Sequence, residues 1–552
     1  MAGVKQPMPG VVYAPQWHID KYARLGVLGQ RGLIDALREA LSEFAERVAL
    51  TGPEGERTFR ELDVDSDRFA CALLDMGMKP LDRVIFQVLN SNELVVALLA
   101  CWKACLIPVC TLAAHREREI GYLAQHAGAR AHFVGVEAGF DFLAFADQIR
   151  AATPSMEHLV VVRGEAPEGR STMSSLIDTV DSDAAAARIE AIERDAFQVC
   201  TFQLSGGTTS VPKIIPRFGN EYLYNIERAI VHNNYTADDV ALLPLQIIHN
   251  ASMCAFLPSL MLVGGCSVVL PKMDPLSVLS ALLEYKPSVF AINAGALGKI
   301  KDHGLLDSLN LERARLIISQ NSARQIDEVL GKPGVHIFGM TEGVVAFGHP
   351  QEPPEVRWQT IGQPLSAHDE LKIVAPGTDR ELPHGEIGEM ICRGPYTIFG
   401  YYDAEERNRE AFNAEGFYRS GDLMAAHEVD GEVYYSFEGR LKDLVDRGGE
   451  KINCEEVEHT ARKHPAIHDI AVVAMPDPDL GERACAFVLL AHGARAPTTS
   501  ELMDFLMAEG LAKYKSPERI ELLEEFPMTT ANKLDKPRLK AIITEKLTQE
   551  AA

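Results

Sequence analysis

Positive charge is in short supply in this chain. Against 78 aspartates and glutamates stand only 54 lysines and arginines, a formal net charge of −24 at pH 7. Such a surface repels polyanions and argues against nucleic acid and anionic membranes as partners. No cysteine pair has CxxC spacing, and Cys101, Cys105 and Cys110 sit among Leu, Ala, Trp and Val. They read as buried free thiols of a reducing cytoplasm, not as a metal site. Residues 1–10 lack a basic segment followed by an apolar core, so no signal peptide is expected and the localisation expected is cytoplasmic. The most apolar long window, 254–270, is interrupted by Pro258, Gly264 and Gly265 and reads as core, not as a membrane span. No repeat of solenoid period is present.

A chain of 552 residues is long enough for two to four domains, each with its own core. Helical spacing begins at 31–49, with Leu33, Leu37 and Leu41 on one face. Thr58 followed three residues later by Glu61 predicts a capped helix start. Short apolar strands at 84–88, 107–112 and 132–136 alternate with helices such as 92–103, and the alternation continues to about residue 300, which predicts parallel sheets layered with helices. The stretch 165–182 is polar and turn-rich and predicts a surface excursion. From about 385 the texture changes: 386–394 and 431–437 alternate polar and apolar, as antiparallel strands with one wet face do. Between them 416–423 predicts a tight turn at Asp422. The charged, glycine-containing run 439–452 predicts an exposed connector, and a domain boundary is placed at 438–442.

The chemistry concentrates at Ser205-Gly206-Gly207-Thr208-Thr209-Ser210-Val211-Pro212-Lys213, directly after an apolar strand at 197–202. Adjacent glycines let the backbone approach an anion, hydroxyls donate to phosphate oxygens, and Lys213 adds a flexible point charge. The loop is not a Walker A motif, because Pro212 stands where glycine is needed and Ile214 where a metal-binding hydroxyl is needed. A P-loop NTPase is therefore disfavoured.

Four further motifs follow in order: Gly339-Met340-Thr341-Glu342-Gly343, Tyr418-Arg-Ser-Gly-Asp422, Gly439-Arg440-Leu-Lys442-Asp443, and Thr529-Thr-Ala-Asn532-Lys533. Together with the loop they resemble the adenylate-forming superfamily of acyl-CoA synthetases, luciferases and nonribosomal peptide adenylation domains, over nearly the whole chain. The resemblance implies an α/β fold: a large N-terminal domain (1–438) of layered sheets with a small β-barrel-like subdomain, and a small mobile α+β C-terminal lid (439–552). It implies that Ser205, Gly206, Gly207, Thr208, Thr209, Lys213, Gly339 and Met340 bind ATP. Thr341 would touch the α-phosphate and Glu342 would hold Mg2+. Asp422 would grip the ribose, Arg440 would lie near the nucleotide, Lys442 would be the pivot, and Lys533 would bridge carboxylate and phosphate during adenylation. Asn532 replaces the glycine usual before that lysine; asparagine tolerates the same left-handed backbone, so the role is kept.

Within the superfamily the chain most resembles the stand-alone aryl-acid–AMP ligases, 2,3-dihydroxybenzoate–AMP ligases among them. The matching stretches are Leu204-Ser-Gly-Gly, His249-Asn250, 394–402, Asn408, 448–451, and 476–483. By that resemblance His249 is catalytic and, with Asn250, Ala255, Gln320, Asn321 and Val345, lines the acid site. Ala255 stands where relatives carry a serine or cysteine that reads a ring hydroxyl, and alanine can neither donate nor accept. Gln320-Asn321-Ser322 replaces a Gly-Gly-Ala wall and Asn293-Ala294-Gly295 replaces Val-Pro-Pro. A planar aryl acid with amino, hydroxy or aza substituents is thus expected over 2,3-dihydroxybenzoate. The expected acceptor is a phosphopantetheine thiol on a separate carrier protein, or alternatively free coenzyme A. A nucleotide-binding paralogue without turnover and a luciferase-like oxygenase share these motifs and stay open.

Overall fold

The computed structural model describes every residue except 1, 2, 138, 206–211, 244, 273, 293, 303, 448, 449, 479, 530–532 and 552. Packing divides the chain into two units. The first comprises Met1–Ser205, Val211–Glu370 and Cys392–Tyr418; the second comprises Leu371–Ile391 and Arg419–Ala552.

In the first unit the alternation of strand and helix builds two sheets. One runs His158–Arg163, Ala131–Gly135, Arg83–Gln87, Ile107–Val109, Val199–Leu204, Ile214–Phe218. Its neighbours are parallel until the last pair, which is an antiparallel hairpin. The other runs from Gln363–Pro364 through Val345–Phe347, Gly334–Gly339, Leu316–Ser319, Val289–Ala291, Val240–Leu242, Cys266–Val268 and Val48–Thr51 to Arg57–Thr58. Its five internal ladders, from Gly334–Gly339 to Val48–Thr51, are parallel. Parallel strands of this kind are buried on both faces and need helices on each side. The helix Leu33–Glu43 lies in the helical layers, burying Leu33, Leu37 and Leu41 as its spacing predicts, and it packs on Gly219–Asn233 and Leu257–Leu262. Thr58 caps Phe59–Asp75 as expected: its hydroxyl accepts from the Glu61 N–H at 3.2 Å and Glu61 answers the Thr58 N–H at 2.7 Å.

Most of a four-stranded sheet, Glu370–Val374, Gly388–Arg393, Tyr418–Val429 and Glu432–Arg440, belongs to the second unit, with Glu370, Cys392, Arg393 and Tyr418 counted in the first. The second unit also holds a five-stranded sheet of Glu450–Asn453, Leu444–Arg447, Gly481–Leu490, Ile467–Asp477 and Arg519–Leu522. The chain passes from one to the other through the short 3-10 turn Leu441–Asp443. Alternate residues of Ile467–Asp477 serve different cores. Ile470 and Val472 pack with Val457, Leu502 and Leu506; Ala471 and Val473 pack with Leu539 and Ile543 of the terminal helix.

The α/β class stands, and among the described residues no helix is long and apolar enough to cross a membrane. The polar stretch 165–182 lies largely exposed, as expected, and includes the short helix Met173–Asp178, capped by Thr172 and anchored by buried Met173 and Ile177, a pair one turn apart. Two local expectations do not hold. Strand Gly388–Arg393 is buried from Gly388 to Cys392 on both faces, so its alternation does not mark a wet side. Asp422 lies inside the long strand Tyr418–Val429, not at a turn; the left-handed φ of 69° at Gly421 bends the strand without ending it.

Candidate active site

The C-terminal ends of parallel strands share one edge of the sheet, the edge where open α/β sheets bind ligands. Gln320 and Asn321 follow Leu316–Ser319 there and are exposed; Gly339, Met340 and Thr341 follow or close Gly334–Gly339. Gly339 is exposed, and a Cβ at that position would meet nothing nearer than Val345 at 3.5 Å, so packing does not demand glycine. Its bare backbone is what the exposure offers. Val345 itself is buried and begins the return strand.

Glu342 sits in the turn between these strands, 8% exposed, with its carbonyl accepting from Ile398 N–H at 2.9 Å. The Tyr401 hydroxyl donates to its Oε1 at 2.9 Å. The other carboxylate oxygen has no hydrogen-bond partner among the described residues, which suits a group with one oxygen left for a cation. The same Tyr401 hydroxyl lies 3.1 Å from Lys213 Nζ and 2.9 Å from the Tyr418 hydroxyl. Lys213 also stands 4.4 Å over the Tyr401 ring.

The ends of the loop from Ser205 to Lys213 are tied together. Ser205 N–H donates to the Lys213 carbonyl at 3.1 Å and Lys213 N–H to Ser205 Oγ at 3.2 Å, where the hairpin Val199–Leu204 and Ile214–Phe218 opens. Gly206, Gly207, Thr208 and Thr209 lie outside the described residues, as does Asn293.

His249 caps the helix Asn250–Ala255: its Nδ1 accepts from Ala251 N–H at 3.2 Å, which puts the ring proton of the neutral form on Nε2. Asn250 is buried, and its Oδ1 accepts from the Tyr222 hydroxyl at 2.9 Å and from Arg217 Nη1 at 3.3 Å. Ala255, at the end of that short helix, is completely buried.

Arg217 ties this side to the Glu342 turn. Its Nη1 also donates to the Thr341 carbonyl at 3.1 Å, so one guanidinium reaches both Asn250 and the residue before Glu342. The side chain is wholly buried and gripped bidentately by Glu221, at 2.9 and 2.8 Å. Burial works against its charge, but the Glu221 carboxylate outweighs it and holds the guanidinium above its ordinary pKa. Glu221 is placed by the first turn of Gly219–Asn233, where it also accepts from Phe218 N–H at 2.8 Å. The motifs do not include Arg217, Glu221 or Tyr222, and they carry Tyr401 and Tyr418 without indicating their contacts. A signal for the first pair existed: an arginine ending an apolar strand with a glutamate four residues on, at a helix start.

In the second unit Asp422 pairs in register with Arg440 across the strands Tyr418–Val429 and Glu432–Arg440, and Arg440 Nε lies 3.3 Å from its Oδ1. Asp422 N–H donates to Ser420 Oγ at 3.0 Å. Just before Lys442, Gly439 has a φ of 121°, and a Cβ there would meet Asn453 Oδ1 at 2.9 Å. Lys442 is exposed in the 3-10 turn. Lys533 is exposed on a turn closed by its own backbone: Thr529 N–H donates to the Lys533 carbonyl at 2.7 Å, and Lys533 N–H to Thr529 Oγ1 at 3.1 Å. Asn532 is outside the described residues.

Comparison with known proteins identifies the family. A family model described as AMP-binding enzyme matches residues 37–402, and one described as AMP-binding enzyme C-terminal domain matches 456–533. The chain is 34% identical over 538 residues to a 2,3-dihydroxybenzoate-AMP ligase of Bacillus subtilis (strain 168), covering 96% of each. It is 35% identical over 549 residues to a salicylyl-CoA synthase / salicylate adenylyltransferase of a Streptomyces species, covering 97% of this chain and 98% of that one. Among solved structures, an anthranilate CoA ligase with bound anthranoyl-AMP superposes with a TM-score of 0.82 at 25% identity, over 95% of this chain and 99% of that one.

Proposed function

The chain belongs to the AMP-binding enzyme family, and we propose that it activates a planar aryl carboxylic acid with ATP, forming acyl-AMP and pyrophosphate, and then passes the acyl group to a thiol. It is a carboxylate-adenylating ligase. One observation carries the reading: Arg217 holds Asn250, on the acid side, and the Thr341 carbonyl, on the phosphate side, with a single buried charge.

The first half-reaction brings a carboxylate onto the α-phosphorus, anion onto anion, with pyrophosphate leaving from the far side. Positive charge placed at the reacting oxygens is therefore the main requirement. Lys533 bridges the carboxylate and the α-phosphate; Ser205 and Lys213, with the loop between them, receive the leaving pyrophosphate. Thr341 contacts the α-phosphate, and Asp422 and Arg440 hold the ribose side of the nucleotide. Glu342, with one oxygen engaged by Tyr401 and one to spare, would hold Mg2+, which when bound screens phosphate charge. Asn250 orients the acid beside Ala255, Gln320, Asn321 and Val345, while His249 borders it. In the second half-reaction a thiol sulfur attacks the acyl carbon, the carbon–oxygen bond to AMP breaks, and AMP leaves. The C-terminal domain, 439–552, turns about Lys442 between the two steps.

Ala255 offers no hydrogen bond to a ring hydroxyl, whereas Gln320 and Asn321 add polar side chains, so the favoured acid carries an amino, hydroxy or aza group placed differently from 2,3-dihydroxybenzoate. The acceptor is the phosphopantetheine of a separate carrier protein; free coenzyme A is the second reading, which the similarity to a salicylyl-CoA synthase and an anthranilate CoA ligase favours. Acid-dependent exchange of pyrophosphate into ATP, run over benzoate, salicylate, anthranilate, 2,3-dihydroxybenzoate and short aliphatic acids, tests the first half. Activity confined to aliphatic acids overturns the aryl assignment. Thioester formation with coenzyme A against a purified aryl carrier protein decides the acceptor.

A further inference from the structure

The stretch 394–402 and Asn408 are part of what makes this chain resemble its relatives, and beyond the Tyr401–Glu342 contact the reaction gives them no role. Tyr401, within that stretch, has a distinctive setting. Its ring is 1% exposed and its hydroxyl meets three polar groups of the same unit. A phenol has one proton to give and room to accept two. Glu342, as a carboxylate, can only accept, so the Tyr401 proton points to Glu342 Oε1. The Lys213 ammonium can only donate, and the Tyr418 hydroxyl is left to donate as well. Every hydrogen-bonding capacity of the Tyr401 oxygen is used, and each bond has one possible direction.

The backbone is fixed with equal care. Asn408 accepts from Tyr401 N–H at 2.8 Å and donates to the Tyr401 carbonyl at 3.0 Å, so one carboxamide grips both sides of the residue. A Cβ on Gly400 would come within 2.7 Å of Val12 and 2.9 Å of the Asn408 amide, so the residue before Tyr401 has no room to be larger. Tyr418 is held in turn by the edge of the Phe412 ring, with centroids 5.6 Å apart.

We propose that Tyr401 is the positioning residue for Glu342. By engaging Oε1 it fixes the rotation of the carboxylate and leaves the second oxygen for the divalent cation of the bound nucleotide. Tyr418, Lys213 and Asn408 keep the hydroxyl pointed that way. The proposal rests on the adenylating reading of the site. It assigns Tyr401 no contact with substrate; its effect passes through Glu342.

The test is equilibrium binding of a non-hydrolysable ATP analogue to the full-length protein by calorimetry, with Mg2+ and with chelator. The proteins are the wild type, Tyr401→Phe, Glu342→Gln and the double variant. Phenylalanine keeps the ring face under Lys213 and removes only the hydroxyl. Tyr401→Phe is expected to weaken Mg2+-dependent binding about tenfold, the scale of one lost hydrogen bond to a charged group. Binding in chelator should change by less than about twofold, and in the Glu342→Gln background the second substitution should add less than about twofold, since the two act as one unit. Should Tyr401→Phe not fold, Tyr418→Phe, which removes only the hydroxyl orienting Tyr401, is expected to give the same Mg2+-specific loss at about threefold. Equal weakening with and without Mg2+, or losses that add in the double variant, overturns the proposal while leaving the adenylating reading intact. A wild-type protein that binds no nucleotide in either condition overturns both.

Discussion

Arg217 is wholly buried and gripped by two hydrogen bonds from Glu221, whereas Lys533 stands exposed on a turn that its own backbone closes. Both are cations assigned to one reaction, and the contrast separates two ways of supplying charge. A buried, paired guanidinium has had its desolvation met during folding and cannot move; it gives a fixed frame for Asn250 and Thr341. An exposed lysine keeps much of its hydration and gives up far less to burial than the guanidinium does.

Breaking the frame should produce the largest effect on the protein itself. Glu221→Ala leaves Arg217 charged and unpaired in the interior, a change that costs about 3–5 kcal/mol. Urea unfolding should show that loss, together with weakened acid binding; a stability within about 0.5 kcal/mol of wild type, the range of an ordinary surface change, would mean that solvent reaches Arg217. Lys533→Ala should do the reverse, leaving unfolding unchanged. Acyl-AMP formation should fall by roughly 10²–10³, the scale of a lost oxyanion donor. Thioester formation from supplied acyl-AMP should survive, and a variant that adenylates at more than a few per cent of the wild-type rate removes Lys533 from the mechanism. Lys442→Pro stiffens the passage between the two sheets of the second unit and should lower thiol transfer of order tenfold while adenylation persists. Equal loss in both half-reactions would place the pivot elsewhere. The smallest effect belongs to the acid site: Ala255→Ser should raise kcat/KM for 2,3-dihydroxybenzoate relative to benzoate by about three- to tenfold, the worth of one neutral hydrogen bond of about 0.5–1.5 kcal/mol. Identical responses from benzoate, salicylate and 2,3-dihydroxybenzoate would show that Ala255 does not face the ring.

The parts of this molecule that sequence makes legible are those set by local physics. Leu33, Leu37 and Leu41 face inward because helical spacing puts them on one side, and Thr58 caps because Glu61 is three residues away. The helix Asn92–Lys103 runs as predicted, with Ser91 as its cap. What stayed hidden depends on partners distant in sequence. Arg217 meets Asn250 and Thr341 across 33 and 124 residues, and Tyr401 meets Glu342 across 59. No periodicity or turn chemistry encodes such pairings. Asp422 misled for a different reason: Gly421 supplies a left-handed residue, which in sequence reads as a turn, yet the ladder to Glu432–Arg440 continues past it.

The ten cysteines carry a practical consequence. None forms a disulfide, and each is buried or half-buried. Burial pushes every one of the thiols up, with Cys200, Cys254, Cys266, Cys392, Cys454 and Cys485 at about 12. Because alkylating reagents attack the thiolate, the folded protein should behave toward them almost as a cysteine-free one. A maleimide added to a working reaction would then find chiefly the acceptor's thiol, and protection of that thiol against labelling would report acyl transfer directly. A cysteine installed at exposed Lys442 could likewise take a dye with little background, so that motion of the connector is read by fluorescence in an otherwise unaltered chain.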